Sequence, residues 1–138
     1  MYASAYAFSK KLDRDLYIDK VSSYSSRKNI YTYALDGLNL SAKVANKNDI
    51  FTGISGYLKR KILKNIDPII NKKRFLLEVY GGNKKTFFND SLLKQKFMNS
   101  IYMEGYFETE KYFKDYKDDI LNEFSHKKKN DFKNNQFY

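Results

Sequence analysis

A loop between a predicted strand and a predicted helix carries the residues best placed to contact a ligand. Residues 101–106 are rich in β-formers and reach Gly105, which predicts a strand ending there. Thr109 can then cap a helix with Glu110 in its first turn, where a carboxylate meets the positive end of the helix dipole. Ligands of α/β folds gather at such loops. The candidate substrate-binding residues are Gly105, Tyr106, Glu108, Thr109 and Lys111.

The helix predicted after this loop has an apolar stripe. Its members recur every four residues and are widened by two neighbours: Tyr112, Tyr116, Ile120 and Phe124, with Phe113 and Leu121. Phe113 and Ile120 are expected to face a sheet, and Phe107 and Phe113 to pack in the core. The strand, loop and helix together make half of a βαβ unit.

The same stretch resembles a known family. GYFETEKYF at 105–113, with IYMEG overlapping its start, is similar to the segment GYFQSEKYF of bacterial α-1,2-fucosyltransferases, glycosyltransferase family eleven. This chain has Glu108-Thr109 where the family usually has Gln-Ser. Thr109 keeps a hydroxyl that can cap a helix, whereas Glu108 replaces a neutral amide with a charge.

The resemblance implies inverting transfer of L-fucose from GDP-fucose to the 2-hydroxyl of a galactose in a surface glycan such as lipopolysaccharide. It implies that the five loop residues position the acceptor and transfer no proton. It assigns no catalytic residue and no donor-binding residue. Arginine, histidine and helix N-termini can supply the positive field that the leaving diphosphate needs, so no metal or other cofactor is expected.

The likeness extends toward both ends of the chain. Residues 1–12 predict a helix with Tyr2, Ala5, Tyr6, Ser9 and Leu12 on one face, and 16–19 predict a strand. In the family a glycine-rich GGLGNQ loop precedes such a helix, and a His-x-Arg-Arg-x-Asp motif follows the GYFQSEKYF segment. Neither occurs here. We therefore expect an N-terminal-side fragment that transfers no fucose alone.

The domain expected from the resemblance is a partial Rossmann-like α/β domain, on the acceptor side of a two-domain, GT-B-like glycosyltransferase. It would span 1–125, with a basic polar tail at 126–138 in which His126 is a surface residue. Residues 24–29 predict a loop. Residues 30–40 resemble a family pattern through Tyr33, Leu35, Asp36 and Asn39, and their leucines are expected to pack.

Residues 52–74 predict a basic helical insertion. Lys and Arg supply seven positive charges against one acid, Asp67. An apolar stripe runs through the predicted helix, which should stop before Pro68: Tyr57, Leu58, Ile62 and Ile66. Such a helix can lie on an anionic membrane surface, or it can be an ordinary helix with a solvated charged face, which we favour.

Two further elements are predicted between the basic insertion and the strand at 101–106. Residues 75–80 and 85–88 predict a β-hairpin around Gly81-Gly82-Asn83, because Gly and Asn tolerate the positive φ of tight turns. Residues 92–98 predict a helix that Asp90 or Ser91 can cap.

The composition limits the classes of site and partner. The chain of 138 residues has no Cys and one His, which excludes disulfides, thiolate metal sites and multi-histidine metal sites. A net charge of +10 favours an anionic partner, which leaves a small nucleic-acid-binding protein as the alternative function. No apolar run has the length of a membrane span, so a cytoplasmic location is expected, with peripheral contact to the inner membrane left open.

Overall fold

The structure is a computed structural model that describes residues 1–22, 35–78 and 88–127, apart from the side chain of Leu93. In chain order its elements are α1 (Tyr2–Lys11), β1 (Tyr17–Ile18), β2 (Lys43–Val44), a 3₁₀ helix (Lys47–Asp49), α2 (Gly53–Ile66), β3 (Lys73–Leu77), a 3₁₀ helix (Asp90–Lys94), β4 (Phe97–Glu104), two 3₁₀ helices (Glu110–Tyr112 and Lys114–Tyr116) and α3 (Lys117–Glu123). The described ranges mix helices with parallel strand pairs, as an α/β fold does.

Two short parallel sheets organise the strands. β1 pairs with β2, and β3 pairs with β4, with Phe75 opposite Tyr102 and Leu77 opposite Glu104. The pairing of 75–80 with 85–88 as a hairpin stays a prediction, because residues 79–87 lie outside the described ranges; among the described residues, β3 pairs with β4. Phe75 and Leu76 are 3% and 2% exposed, and an apolar run of this kind is typical of a buried parallel strand. The glycine turn lies among residues 79–87, outside the described ranges.

Helix α1 packs against the 3₁₀ turn Glu110–Tyr112 and contributes Phe8 to the core. The core cluster joins five buried residues from five segments: Phe8, Leu76, Leu92, Phe107 and Tyr112. The helix predicted over 1–12 is confirmed, but its inner face is not the one predicted. Ser4, Ala7 and Phe8 are buried, whereas only Tyr6 of the predicted face is. The small side chains Ser4 and Ala7 permit this close approach.

After β4 the chain does not form the single helix predicted from the sequence. Two 3₁₀ turns come first, α3 begins at Lys117, and the Thr109 side chain makes no capping hydrogen bond. Tyr112 and Ile120 are buried as predicted and Phe113 packs against the core cluster, but Leu121 is 61% exposed. The two 3₁₀ turns bring Tyr112 against Phe8 and Phe107, since a 3₁₀ segment shifts the side-chain spacing.

The helix predicted over 92–98 is also wrong. Residues Asp90–Lys94 form a 3₁₀ helix, and β4 already begins at Phe97. The capping residue is Asn89, whose side-chain oxygen accepts a hydrogen bond from the N–H of Ser91 at 3.0 Å. The strand predicted over 101–106 is therefore the second half of a longer strand.

Helix α2 ends before Pro68, as predicted. The strand predicted over 16–19 is confirmed as β1. Within the described ranges, no helix has both the length and the apolar character needed to cross a membrane. The loop predicted over 24–29, Tyr33, and all of the tail after Lys127 lie outside those ranges, while His126 is exposed and bridges to Leu38.

Candidate functional site

The motif loop, residues 105–109, lies where two parallel strands end side by side. Glu78 directly follows β3, and Gly105 directly follows β4. The backbone N–H of Glu78 donates to the carbonyl of Glu104 at 3.1 Å, which continues the ladder to the ends of the strands. The carboxyl ends of parallel strands are the usual ligand edge of an α/β sheet.

The Glu78 carboxylate binds the backbone of the motif loop. Its Oε2 atom accepts hydrogen bonds from the backbone N–H groups of Tyr106 at 2.8 Å and Phe107 at 2.6 Å. Glu78 is only 6% exposed. Because one buried oxygen accepts from two successive N–H groups, this contact constrains the backbone of the loop.

Gly105 makes the close contact with Glu78 feasible. A Cβ atom at Gly105 would lie 2.5 Å from the Cβ of Glu78 and 3.0 Å from the Phe107 ring. Its φ of 140° is also one that residues with a side chain rarely adopt. The backbone conformation and the close contact therefore explain why glycine occupies position 105, without any role in ligand binding.

Phe107 is held in an unusual backbone conformation. Its φ is 47°, in the left-handed region that costs a non-glycine residue about 1–2 kcal/mol. Its ring is completely buried, edge-on to Phe8 and Tyr112, and its carbonyl accepts a hydrogen bond from the Ser4 hydroxyl at 2.7 Å. Burial and hydrogen bonds on both sides offset the strain, and such strained residues concentrate at functional sites.

The remaining predicted site residues line the outer side of the loop. Tyr106 is 60% exposed, Glu108 and Lys111 are exposed, and Thr109 is half-buried. The Lys111 ammonium lies 5.9 Å from the centre of the Phe88 ring. The structure thus places four of the five residues at an accessible surface and Gly105 beneath them. Their contact with a substrate stays a prediction.

Sequence reasoning missed the two residues that hold the loop, Glu78 and Ser4. The available signal was weak: Glu78 ends an apolar strand, and Ser4 sits among alanines. Both contacts join residues far apart in the chain, which spacing cannot reveal. The second Glu78 oxygen, Oε1, is buried and has no hydrogen-bond partner within the described ranges.

A second carboxylate, Glu104, lies at the end of β4 beside the loop. It accepts hydrogen bonds from Arg60 Nε at 2.6 Å and Lys64 Nζ at 2.8 Å. Burial by itself would raise the pKa of Glu104, but the hydrogen bonds from Arg60 and Lys64 outweigh it, so its pKa lies below the usual range. Glu104 is therefore a structural anchor that stays ionised at neutral pH.

A third carboxylate ties α1 to α3. Glu123 accepts hydrogen bonds from the Tyr2 hydroxyl at 2.6 Å and the Ser41 N–H at 2.7 Å. Burial and this hydrogen bond both raise the pKa of Tyr2. Burial acts to raise the pKa of Glu123 as well, but hydrogen bonds from Ser41 and Tyr2 lower it overall. No group of three or more potential metal-binding side chains occurs within the described residues.

Comparison with known proteins assigns this chain to no family. No protein-family model matches the sequence, and neither the curated proteins nor the solved structures contain a match.

Proposed function

We propose that this chain is an α-1,2-fucosyltransferase-like protein whose motif loop binds the galactose-containing acceptor. The activity implied is that of a galactoside 2-α-L-fucosyltransferase, in which the acceptor 2-hydroxyl oxygen bonds to C1 of fucose with inversion as GDP leaves. Support comes from the likeness of residues 105–113 to the family segment and from the place of that segment at the ends of β3 and β4.

The observation that carries the proposal is the Glu78 contact beneath the loop. Because Glu78 and Ser4 fix the backbone of Tyr106 and Phe107, the exposed side chains beside them are presented from a rigid support. The exposed Tyr106 ring offers an apolar face to a sugar ring, and the Glu108 carboxylate accepts hydrogen bonds from sugar hydroxyls. A fixed loop binds with less loss of conformational entropy.

The proposal gives this chain the acceptor side of the reaction. The sequence contains no His-x-Arg-Arg-x-Asp motif, and we assign neither a base nor a donor-binding residue. Purified chain with GDP-fucose and lactose should therefore release no more GDP than it does without lactose. Lactose-dependent GDP release would overturn this restriction to acceptor binding.

Acceptor binding is tested by nuclear magnetic resonance with two disaccharides that differ only in the configuration at one carbon. Lactose ends in galactose, whereas cellobiose ends in glucose with the same linkage. Lactose should shift the backbone amide signals of Tyr106, Glu108 and Lys111, and cellobiose should shift them much less. Equal shifts with both sugars, or lactose-induced shifts confined to other segments, would contradict the proposal.

The nucleic-acid alternative is less well supported, because several of the basic side chains that would contact phosphates already bind groups within the protein. Arg60 and Lys64 pair with Glu104, and Lys73 Nζ donates to the carbonyls of Asp67, Pro68 and Ile70 at 2.8, 3.0 and 2.9 Å. Fewer basic groups of 52–74 are then available to displace counterions from a phosphate backbone.

A further inference from the structure

Helix α2 turns its apolar side away from the protein. None of its residues is buried. The residues that form the predicted stripe are at the surface, with an additional isoleucine before them, and we name them the outer row: Ile54 at 82% exposed, Leu58 at 51%, Ile62 at 58% and Ile66 at 45%. Tyr57, 58% exposed, lies beside this row, and Ile69, 83% exposed, follows the helix.

The inner face of α2 is fixed by charged and small residues. Arg60 and Lys64 pair with Glu104, and the Lys64 ammonium lies 6.0 Å from the centre of the Phe75 ring. Gly56 lies so close to the preceding chain that a Cβ there would be 2.6 Å from the carbonyl carbon of Phe51. The orientation is therefore specified by contacts, and the outer row is exposed as a consequence.

Basic residues border the outer row on both sides. At about 100° of helix rotation per residue, Lys59 lies about 100° to one side of Leu58 and Lys61 about 60° to the other. Both lysines are exposed, and α2 contains no acidic residue. An apolar row flanked by lysines is typical of helices that lie in a bilayer interface.

We propose that the outer row of α2 docks on an anionic lipid bilayer, with the isoleucines and leucine in the interface and Lys59 and Lys61 near the lipid phosphates. Contiguous apolar side chains at the surface mark sites where a partner or a membrane binds. A second copy fits less well, since symmetric pairing would bring the lysine borders together in a chain of net charge +10. The inference does not depend on the fucosyl-transfer proposal.

The first test is co-sedimentation of the full chain with vesicles. Vesicles of equal parts phosphatidylglycerol and phosphatidylcholine should bind the protein, and pure phosphatidylcholine vesicles should bind it at least about tenfold more weakly. Ile62→Ser should weaken binding to the anionic vesicles about tenfold, because it removes most of an apolar side chain from the interface. Leu121→Ser is the matched control, since Leu121 is exposed to a similar extent, 61%, on α3.

The lysine contribution is tested in the same assay. Lys59→Gln and Lys61→Gln should each weaken binding about fivefold, as expected for a cation near an anionic surface. Lys96→Gln and Lys114→Gln remove exposed charges on other segments and should have a smaller effect. Equal losses from all four variants would overturn the assignment of α2 as the docking face.

The chain has no tryptophan, so a single one reports on its own position. In the presence of anionic vesicles, the Ile62→Trp variant should show a blue-shifted emission that brominated lipids quench, and the Leu121→Trp variant should show neither. No vesicle binding at low salt would overturn the proposal. So would a stable dimer that Ile62→Ser dissociates, or binding to duplex DNA that is tighter than vesicle binding and unaffected by Ile62→Ser.

Discussion

Helices α1 and α2 attach to the rest of the chain by opposite kinds of face. α1 buries Ala7 completely and leaves Phe8 only 4% exposed, within the aromatic cluster beside the motif loop. α2 buries none of its residues and is held by the pairing of Arg60 and Lys64 with Glu104. The same chain therefore uses apolar burial at one helix and charge pairing at the other.

This difference predicts where stability resides. Burying a phenylalanine contributes a few kcal/mol, whereas a partly exposed ion pair contributes about 1 kcal/mol or less. Mutations on α1 and its contacts should consequently be far more costly than mutations on the outer side of α2. The difference also explains why α2 keeps its position although its apolar side chains face solvent. The residues that attach it to β4, Arg60 and Lys64, lie on its polar face.

The largest effect on stability is expected at Phe8, on the buried face of α1. Phe8→Ala removes a ring that contacts Phe107 and Tyr112, and the resulting cavity should lower the free energy of unfolding by about 3–5 kcal/mol. Leu58→Ala on the outer row of α2 should change it by no more than about 0.5 kcal/mol. Urea denaturation measures both. A larger cost for Leu58→Ala than for Phe8→Ala would reverse the comparison.

A smaller effect is expected where the end of β3 meets the motif loop. Glu78→Ala leaves the N–H groups of Tyr106 and Phe107 without their acceptor and should lower the free energy of unfolding by about 2–3 kcal/mol. Glu108→Ala removes an exposed carboxylate from the same loop and is the control. If the two variants unfold at the same urea concentration, Glu78 does not hold the loop.

The smallest effect concerns the anchor of α2 and depends on pH. The pKa of Glu104 is lowered in the folded state, so its contribution is present above the unfolded-state pKa of about 4.3 and is lost as pH falls through the folded-state pKa. Wild-type protein should lose about 0.5–1 kcal/mol more than Glu104→Gln on acidification through this range. Glu123, whose pKa is also lowered, should leave a residual acid sensitivity in the variant.

The pH prediction is checked by urea denaturation at a series of acidic pH values. Glu123→Gln provides the complementary curve, because it removes a second carboxylate whose pKa is lowered. An identical pH dependence in wild type and Glu104→Gln would show that Glu104 does not anchor α2.

Sequence patterns predicted the elements whose signals are local. The end of α2 before Pro68, the presence of α1 and the second half of β4 before Gly105 all follow from local signals. They did not predict which side of α2 faces the protein, because a stripe of period 3.6 shows that two faces differ and not which one is covered. The parallel pairing of β3 with β4 was not predicted for a related reason, since local patterns do not reveal pairing between strands that are distant in sequence.

The sequence predicted that a loop follows the strand ending at Gly105, but it did not predict the contacts that support this loop. The loop after β4 is where the motif placed it, with Tyr106, Glu108 and Lys111 at its surface. The Glu78 and Ser4 contacts join residues separated by 28 or more positions, so local spacing contains no trace of them. The predicted Thr109 cap failed because the chain forms 3₁₀ turns there, which bring Tyr112 into the core.

The most direct test of the contrast between the two helices is the reactivity of single cysteines. The chain has none, so Ser4→Cys on α1 and Ile62→Cys on α2 each introduce one thiol, at positions 0% and 58% exposed. Under native conditions a water-soluble maleimide should label the Ile62→Cys thiol nearly as fast as in urea. The Ser4→Cys thiol should react at least about a hundredfold more slowly than in urea, since it must wait for the structure to open. Strong protection of the Ile62→Cys thiol, or none at Ser4→Cys, would contradict the arrangement described.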